Sequence, residues 1–169
     1  MKNEKLDKFA PLLGVFSFVA STTALITFLR ADYALMSIGK TFMGMFFLTF
    51  GSFKAYNLEG FKEAFQMYDI LAEKSDMYAT AYPFIEVGLG VLYISLLFNS
   101  SFQLQVFTHS AAIFVMGVGG LGVLNALREG RDLKCACLGN VFNVPMTTVT
   151  FVEDFGMALM AAIMLMTVI

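Results

Sequence analysis

Five long apolar segments limit what this chain can fold into. They cover residues 11–29, 35–56, 79–98, 104–127 and 150–169, and about 20 consecutive apolar residues suffice for a helix to cross a lipid bilayer. Only 14% of the residues are charged, whereas soluble domains average about 25%. Because a bilayer cannot hydrogen-bond to the backbone, spanning segments of this kind form helices. The sequence therefore predicts a single all-α integral membrane domain over residues 1–169, built as a bundle of five transmembrane helices.

The first apolar segment is predicted to be a retained span. The run from residue 12 to residue 29 is longer than the roughly 7–15 residues of a signal-peptide core, and no A-x-A cleavage site follows it.

The stretch between the second and third spans is predicted to lie along the membrane surface. Its apolar residues recur at helical spacing with charged residues between them, which is typical of an amphipathic interfacial helix. We expect this helix over about residues 58–76, and a connector helix in the cytosol is the alternative. The apolar positions are Leu58, Phe61, Phe65, Tyr68 and Leu71.

The distribution of basic residues predicts the orientation of the bundle. With five spans, nine of the eleven Lys and Arg residues lie on one side, together with the N-terminus and the loop 128–149, while Arg30 and Lys40 lie on the other. Cytoplasmic loops carry the excess of basic residues. We therefore predict a multi-pass protein of the cell (inner) membrane, with its N-terminus and loop 128–149 in the cytoplasm and its C-terminus outside.

The loop 128–149 contains the only two cysteines of the chain, Cys135 and Cys137. Two thiols one residue apart can share a soft metal ion such as Cu(I), or close a small, strained disulfide. A reducing cytosol favours the dithiol, hence metal capture or transient redox exchange over a structural crosslink. Lys134 and Arg131 nearby are expected to lower the thiol pKa values, which serves either chemistry. Two inert packed cysteines are the alternative.

Further soft or ionisable groups lie within the predicted spans. Met157, Met160 and Met164 form a stripe on the fifth helix, and their thioethers are candidate inner metal ligands, although methionine also packs irregular gaps well. Glu86, about one turn inside the third span, is a candidate cation ligand or a structural residue, because ionisable groups in a membrane are functional candidates.

Other polar and small residues have simpler interpretations. Glu153 and Asp154 open the fifth helix, where acidic side chains suit the helix dipole, and His109 is expected to be interfacial rather than a ligand. The glycines at 117, 119, 120 and 122 predict close helix packing. A net charge of −2 with no basic run excludes a nucleic-acid partner, and no P-loop, Ser/His/Asp constellation, HExxH or Rossmann fingerprint is present.

These motifs together resemble the MauE/DoxX group of small membrane proteins. The matching stretches are FMGMFF (42–47), GSFK (51–54), NLEGF (57–61), MYD (67–69), AYPFIE (81–86), CACLG (135–139), NVPM (143–146) and VTFVED (149–154). The resemblance implies a four-helix core with an added N-terminal span, and a redox-associated role of the kind required to mature a disulfide-rich amine dehydrogenase. Relatives with this form of the motifs carry a heavy-metal-associated domain, which implies soft-metal traffic. No such domain is seen here, so delivery by a separate chaperone is expected.

Three functions follow from the sequence. The first is binding and transfer of a soft metal ion, Cu(I) or Hg(II), by Cys135 and Cys137, with Glu86 and the methionine stripe as inner sites and no enzymatic activity. The second is a thiol–disulfide oxidoreductase or its accessory subunit, with the same cysteines as its redox pair. The third is a scaffold subunit. Membrane lipid and a soluble metallochaperone or redox protein are the expected partners, and self-association is left open.

Overall fold

The fold of the protein is a bundle of helices, as the sequence predicts. The computed structural model describes residues 2–130 and 148–169, and within them it contains six helices and no strand. The helices are α1 (Lys2–Arg30), α2 (Leu35–Tyr56), α3 (Leu58–Gln66), α4 (Asp76–Ser95), α5 (Phe102–Arg128) and α6 (Thr148–Val168).

The long helices alternate in direction, so the bundle has two distinct ends. At one end the Arg30 guanidinium donates a hydrogen bond to the Leu97 carbonyl at 2.8 Å, joining the ends of α1 and α4. The starts of α2 and α5 and the end of α6 lie at the same end, which we call the Arg30 end. The opposite end, the Lys54 end, contains the end of α2, all of α3, the start of α4, the end of α5 and the start of α6.

Glycines let α2 and α4 pack closely at the centre of the bundle. A Cβ atom added to Gly90 of α4 would lie 2.8 Å from the backbone nitrogen of Leu48 in α2, closer than real Cβ atoms approach. Gly44 and Gly51 of α2 face α4 in the same way. Small residues at such crossings allow backbones to approach, which is the usual means of packing helices within a membrane.

In the described part of the chain, four helical segments are long and apolar enough to cross a membrane by length and composition. They are Ala10–Arg30, Asp76–Ser95, Phe102–Arg128 and Phe151–Val168. The all-α membrane fold is thereby confirmed. The helix α2 has the predicted bounds, but it contains two lysines and several Gly, Ser and Thr residues and falls outside this group. The count of five spans therefore stays a prediction.

The surface helix α3 is shorter than the predicted 58–76. It ends at Gln66 and is followed by turns up to Lys74. The reason is Asp69, whose Oδ1 accepts hydrogen bonds from the backbone N–H groups of Leu71 and Ala72 at 2.9 and 2.8 Å. Such local side-chain bonds compete with helical backbone bonds.

Candidate functional site

Both helix termini that flank the cysteine loop lie at the Lys54 end. The preceding helix α5 ends at Arg128 and the following helix α6 begins at Thr148. Cys135 and Cys137 themselves fall within 131–147, outside the described residues. The described part of the candidate site consists of the groups at the bundle end where this loop begins and finishes.

Two buried charged groups at this end form an ion pair. The Lys54 ammonium of α2 lies 2.6 Å from Oε1 of Glu86 in α4, and their side chains are 10% and 0% exposed. The ammonium also lies over the rings of Tyr82 and Phe61, at 5.1 and 5.7 Å from the ring centres. Aromatic faces attract cations in this geometry. The pair is therefore held by its aromatic surroundings as well as by its own charges.

The structure places Glu86 deeper than the sequence prediction did. Because α4 begins at Asp76, Glu86 lies roughly 15 Å along the helix axis from its start, instead of one turn inside the span. Its pairing with Lys54 was missed by the sequence analysis. A signal was available, since Lys54 near the end of one segment and Glu86 near the start of the next have opposite charges at the same bundle end.

A small internal cavity adjoins this ion pair. It measures about 20 Å³, which is enough for about one water molecule. The carboxylates of Glu86, Glu153 and Asp154 line it, together with Phe46, Lys54, Phe65, Tyr68, Tyr82, Met116 and Gly119. Within the described part of the chain, Oε2 of Glu86 and Oε2 of Glu153 are buried with no hydrogen-bond partner.

The interpretation of Glu153 and Asp154 as helix-dipole residues was wrong. The helix α6 begins at Thr148 and its first turn contains no acidic residue, whereas the dipole acts mainly within the first turn. Both carboxylates instead line the cavity, where the Lys54 ammonium attracts them and Glu86 repels them. They belong to the buried charge cluster.

Of the four α5 glycines predicted to pack closely, Gly122 does so. A Cβ atom on Gly122 would lie 2.6 Å from the Tyr68 carbonyl, whereas one on Gly119 would be at ordinary contact distance, 3.7 Å from Oδ2 of Asp154. Gly117, by contrast, has no neighbour within 4 Å of an added Cβ. The chain after α3 therefore packs directly on α5 and covers the cluster.

Asp69 lies in that covering segment and is fully buried. Burial raises the pKa of its carboxyl group, and the hydrogen bonds that it accepts from two backbone N–H groups oppose this effect. Its Oδ2 has no partner among the described residues.

The methionine stripe faces the interior of the helix bundle. Met157 and Met164 are buried in the core and Met160 is half-buried. Met160 and Met164 also line an apolar groove of about 920 Å³ between α1, α2 and α6 at the Arg30 end. Among residues 2–130 and 148–169, no group of three or more His, Cys, Asp or Glu residues is arranged to hold a metal ion.

A second polar group, missed by the sequence analysis, lies at the Arg30 end. The Lys40 ammonium donates to the Gln105 side chain at 2.8 Å, and the Tyr93 hydroxyl lies 3.1 Å from Nδ1 of His109. Tyr93 and His109 are completely buried inside the bundle. The interfacial depth of His109 stays a prediction.

Comparison with known proteins identifies the family of this chain. Residues 31–167 match the family model described as methylamine utilisation protein MauE. No curated protein and no solved structure matches the chain. The matched region runs from just after α1 to the last turn of α6, and so contains the ion pair, the cavity and the cysteine loop. The chain therefore belongs to the MauE family and is a MauE/DoxX-type membrane protein.

Proposed function

We propose that this protein is a membrane thiol redox protein, or an accessory subunit of one, in which Cys135 and Cys137 alternate between a dithiol and a disulfide. The observation that carries the proposal is that α5 ends and α6 begins at the end of the bundle that contains the buried charge cluster. Thiol–disulfide exchange proceeds through thiolates, so ionisable groups near a thiol pair control its reactivity. The redox association implied by the MauE resemblance supports the same proposal.

The exchange balances without an external oxidant. The thiolate of one cysteine attacks a disulfide in a partner protein, which forms a mixed disulfide and releases one partner thiolate. The second thiolate then attacks the mixed disulfide, leaving the Cys135–Cys137 disulfide and a partner dithiol. Two electrons pass from the pair to the partner, and the reverse reaction returns them.

The resting redox state of the cysteine pair follows from ring strain. A one-residue spacer closes a small, strained ring, and strained disulfides have more oxidising potentials. We therefore expect the pair to rest as a dithiol in a reducing compartment. The basic residues on the same side of the bundle support a cytoplasmic position for the pair, in the inner membrane.

Transfer of a soft metal ion is the second candidate, and the buried methionines favour it. Met116 lines the cavity, and Met157 is buried one turn after Asp154. Thiolates and thioethers together prefer Cu(I), and thiolates also suit Hg(II). We rank this candidate second because Met164 packs in the core and the Glu86 carboxylate faces an ammonium group, which leaves both side chains an ordinary structural role.

One set of measurements separates these candidates. The full chain in lipid nanodiscs is equilibrated in glutathione buffers and its thiols are counted by alkylation and mass spectrometry. We expect both thiols to titrate together as a two-electron couple, and Cys137→Ser to accumulate a mixed disulfide through Cys135. Cu(I) titration against a competing chelator is run on the same sample.

The control is the double variant Cys135→Ser/Cys137→Ser, which must lose whichever signal the parent shows. Stoichiometric Cu(I) binding with no defined potential would replace the redox proposal by metal transfer. A parent that shows neither property would leave the scaffold role.

A further inference from the structure

The charge cluster at the Lys54 end contains more negative than positive groups. Among the described residues, three carboxylates, those of Glu86, Glu153 and Asp154, line the cavity together with one ammonium group, that of Lys54. If all four groups were ionised, the cavity would carry a net charge of −2. Like charges buried close together cannot all stay ionised, because low-dielectric surroundings screen them poorly.

The hydrogen bonds of the cluster have the same imbalance. Lys54 is 2.6 Å from Oε1 of Glu86, whereas Oε2 of Glu86 and Oε2 of Glu153 are buried without a partner among the described residues. An ionised carboxylate only accepts hydrogen bonds, but a protonated one also donates. A proton on one of these oxygens would therefore add a donor for another carboxylate oxygen of the cluster.

We propose that this cavity is a proton-binding site, in which the Glu86, Glu153 and Asp154 carboxyl groups share protons around the Lys54 ammonium. Glu86 is completely buried, whereas Glu153 and Asp154 are half-buried. Protons therefore reach Glu86 from the Lys54 end through the two α6 carboxyl groups and a water-sized space. Intramembrane carboxylates serve as proton relays in this manner in other membrane proteins.

The titratable groups that surround the cavity come from α2, α4, α6 and the segment after α3. On α2 the titratable group is Lys54, and on α4 the Tyr82 hydroxyl lies within hydrogen-bonding reach of Glu86. The segment after α3 contributes Tyr68, and its Asp69 repels Asp154. The cavity residues from α5, Met116 and Gly119, have no titratable side chain. On α6 the groups are Glu153 and Asp154, and Tyr78 near the start of α4 also faces Asp69 and Glu86.

A proton suits this site better than a metal ion. The Lys54 ammonium is already in contact with Glu86 and would repel a cation placed in the same space. Among the described residues, no group of three or more His, Cys, Asp or Glu side chains is arranged to hold a metal ion. A cavity of about 20 Å³ holds about one water molecule, which can connect carboxyl groups that do not touch.

The site is independent of the proposed function, because it requires neither cysteine. Should Cys135 and Cys137 exchange disulfides, the site would supply or accept protons at the bundle end where their loop begins and finishes. Measuring the site in the Cys135→Ser/Cys137→Ser background keeps the two proposals apart.

Infrared spectroscopy tests the proposal on the full chain in nanodiscs. Carboxylic acids absorb at a C=O frequency distinct from carboxylates, and ¹³C labelling of Asp and Glu assigns the band. At neutral pH we expect about two protonated carboxyl groups, the number that neutralises the cluster. Their band should shift in D₂O, since water reaches the cavity. Lys54→Met should raise the signal to about three groups and Glu86→Gln should lower it to about one, by the same charge balance.

Matched controls come from the surface of the same protein. Lys62 and Asp76 form a partly exposed pair at 2.7 Å, and Lys62→Met should leave the band unchanged. Asp69→Asn removes any contribution of a separate buried carboxyl group, so the variants are compared in that background. If a variant fails to fold, the labelled Asp69→Asn protein alone decides the case: no protonated carboxyl group at neutral pH would overturn the proposal. A band that stays undiminished in both Glu86→Gln and Asp154→Asn would overturn it as well.

Discussion

Removal of Lys54 is expected to destabilise the bundle far more than removal of a partly exposed lysine. Lys54→Met leaves Glu86 completely buried without the ammonium that lies 2.6 Å from it. Breaking a buried ion pair by deleting one partner costs about 3–5 kcal/mol. The partly exposed pair Lys62–Asp76 has a similar distance, 2.7 Å, but solvent screens it, so Lys62→Met should change the stability little.

A double-mutant cycle isolates the interaction itself. Glu86→Gln removes the charge while keeping the shape of the side chain, and Lys54→Met/Glu86→Gln removes both charges. Residues in direct contact couple by about 0.5–3 kcal/mol, and we expect the upper part of this range because Lys54 is itself only 8% exposed. The double variant should then be more stable than the sum of the single effects implies.

The assay is reversible unfolding in mixed micelles at increasing SDS fraction. Circular dichroism at helix wavelengths is the readout, because the chain contains no tryptophan. Equal losses for Lys54→Met and Lys62→Met, or strictly additive effects of the two buried substitutions, would refute the reasoning that the pair stabilises the fold.

Three further predictions use the same preparation. Gly90→Ala should destabilise the protein by about 1–3 kcal/mol through overpacking, because the new Cβ would meet the Leu48 backbone. Gly88→Ala should not, because an added Cβ there has no neighbour within 4 Å. Equal effects of the two substitutions would contradict the α2–α4 packing. The pKa of Asp69 is raised by burial, so its contribution to stability is full below its ordinary value and is lost as pH rises through its raised folded-state value. The stability of Asp69→Asn relative to the parent should therefore increase as pH rises, as measured by SDS titration at each pH. A difference in stability that does not change with pH would contradict this prediction. Finally, a membrane-impermeant thiol reagent should label Cys137 in inverted vesicles but not in intact cells; rapid labelling of intact cells would reverse the predicted orientation.

The sequence by itself was sufficient for the membrane class, the helical fold and the family. These properties depend on local information: apolar runs of spanning length, and short motifs in a fixed order. The bounds of α2, Leu35–Tyr56, were likewise predictable, whereas of the four α5 glycines predicted to pack closely only Gly122 has a neighbour that excludes a Cβ atom.

Only the tertiary structure decided which polar residues form a site. Lys54, Glu86 and Asp154 are far apart in the chain, and each had a plausible separate role at a helix end or interface. Their convergence on one cavity depends on how far each helix extends and on the direction in which it faces its neighbours. Glu153 and Asp154, predicted to suit the helix dipole, are instead cavity residues because α6 starts earlier, at Thr148. Side-chain burial is a property of the assembled bundle, and so it cannot be read from a single segment.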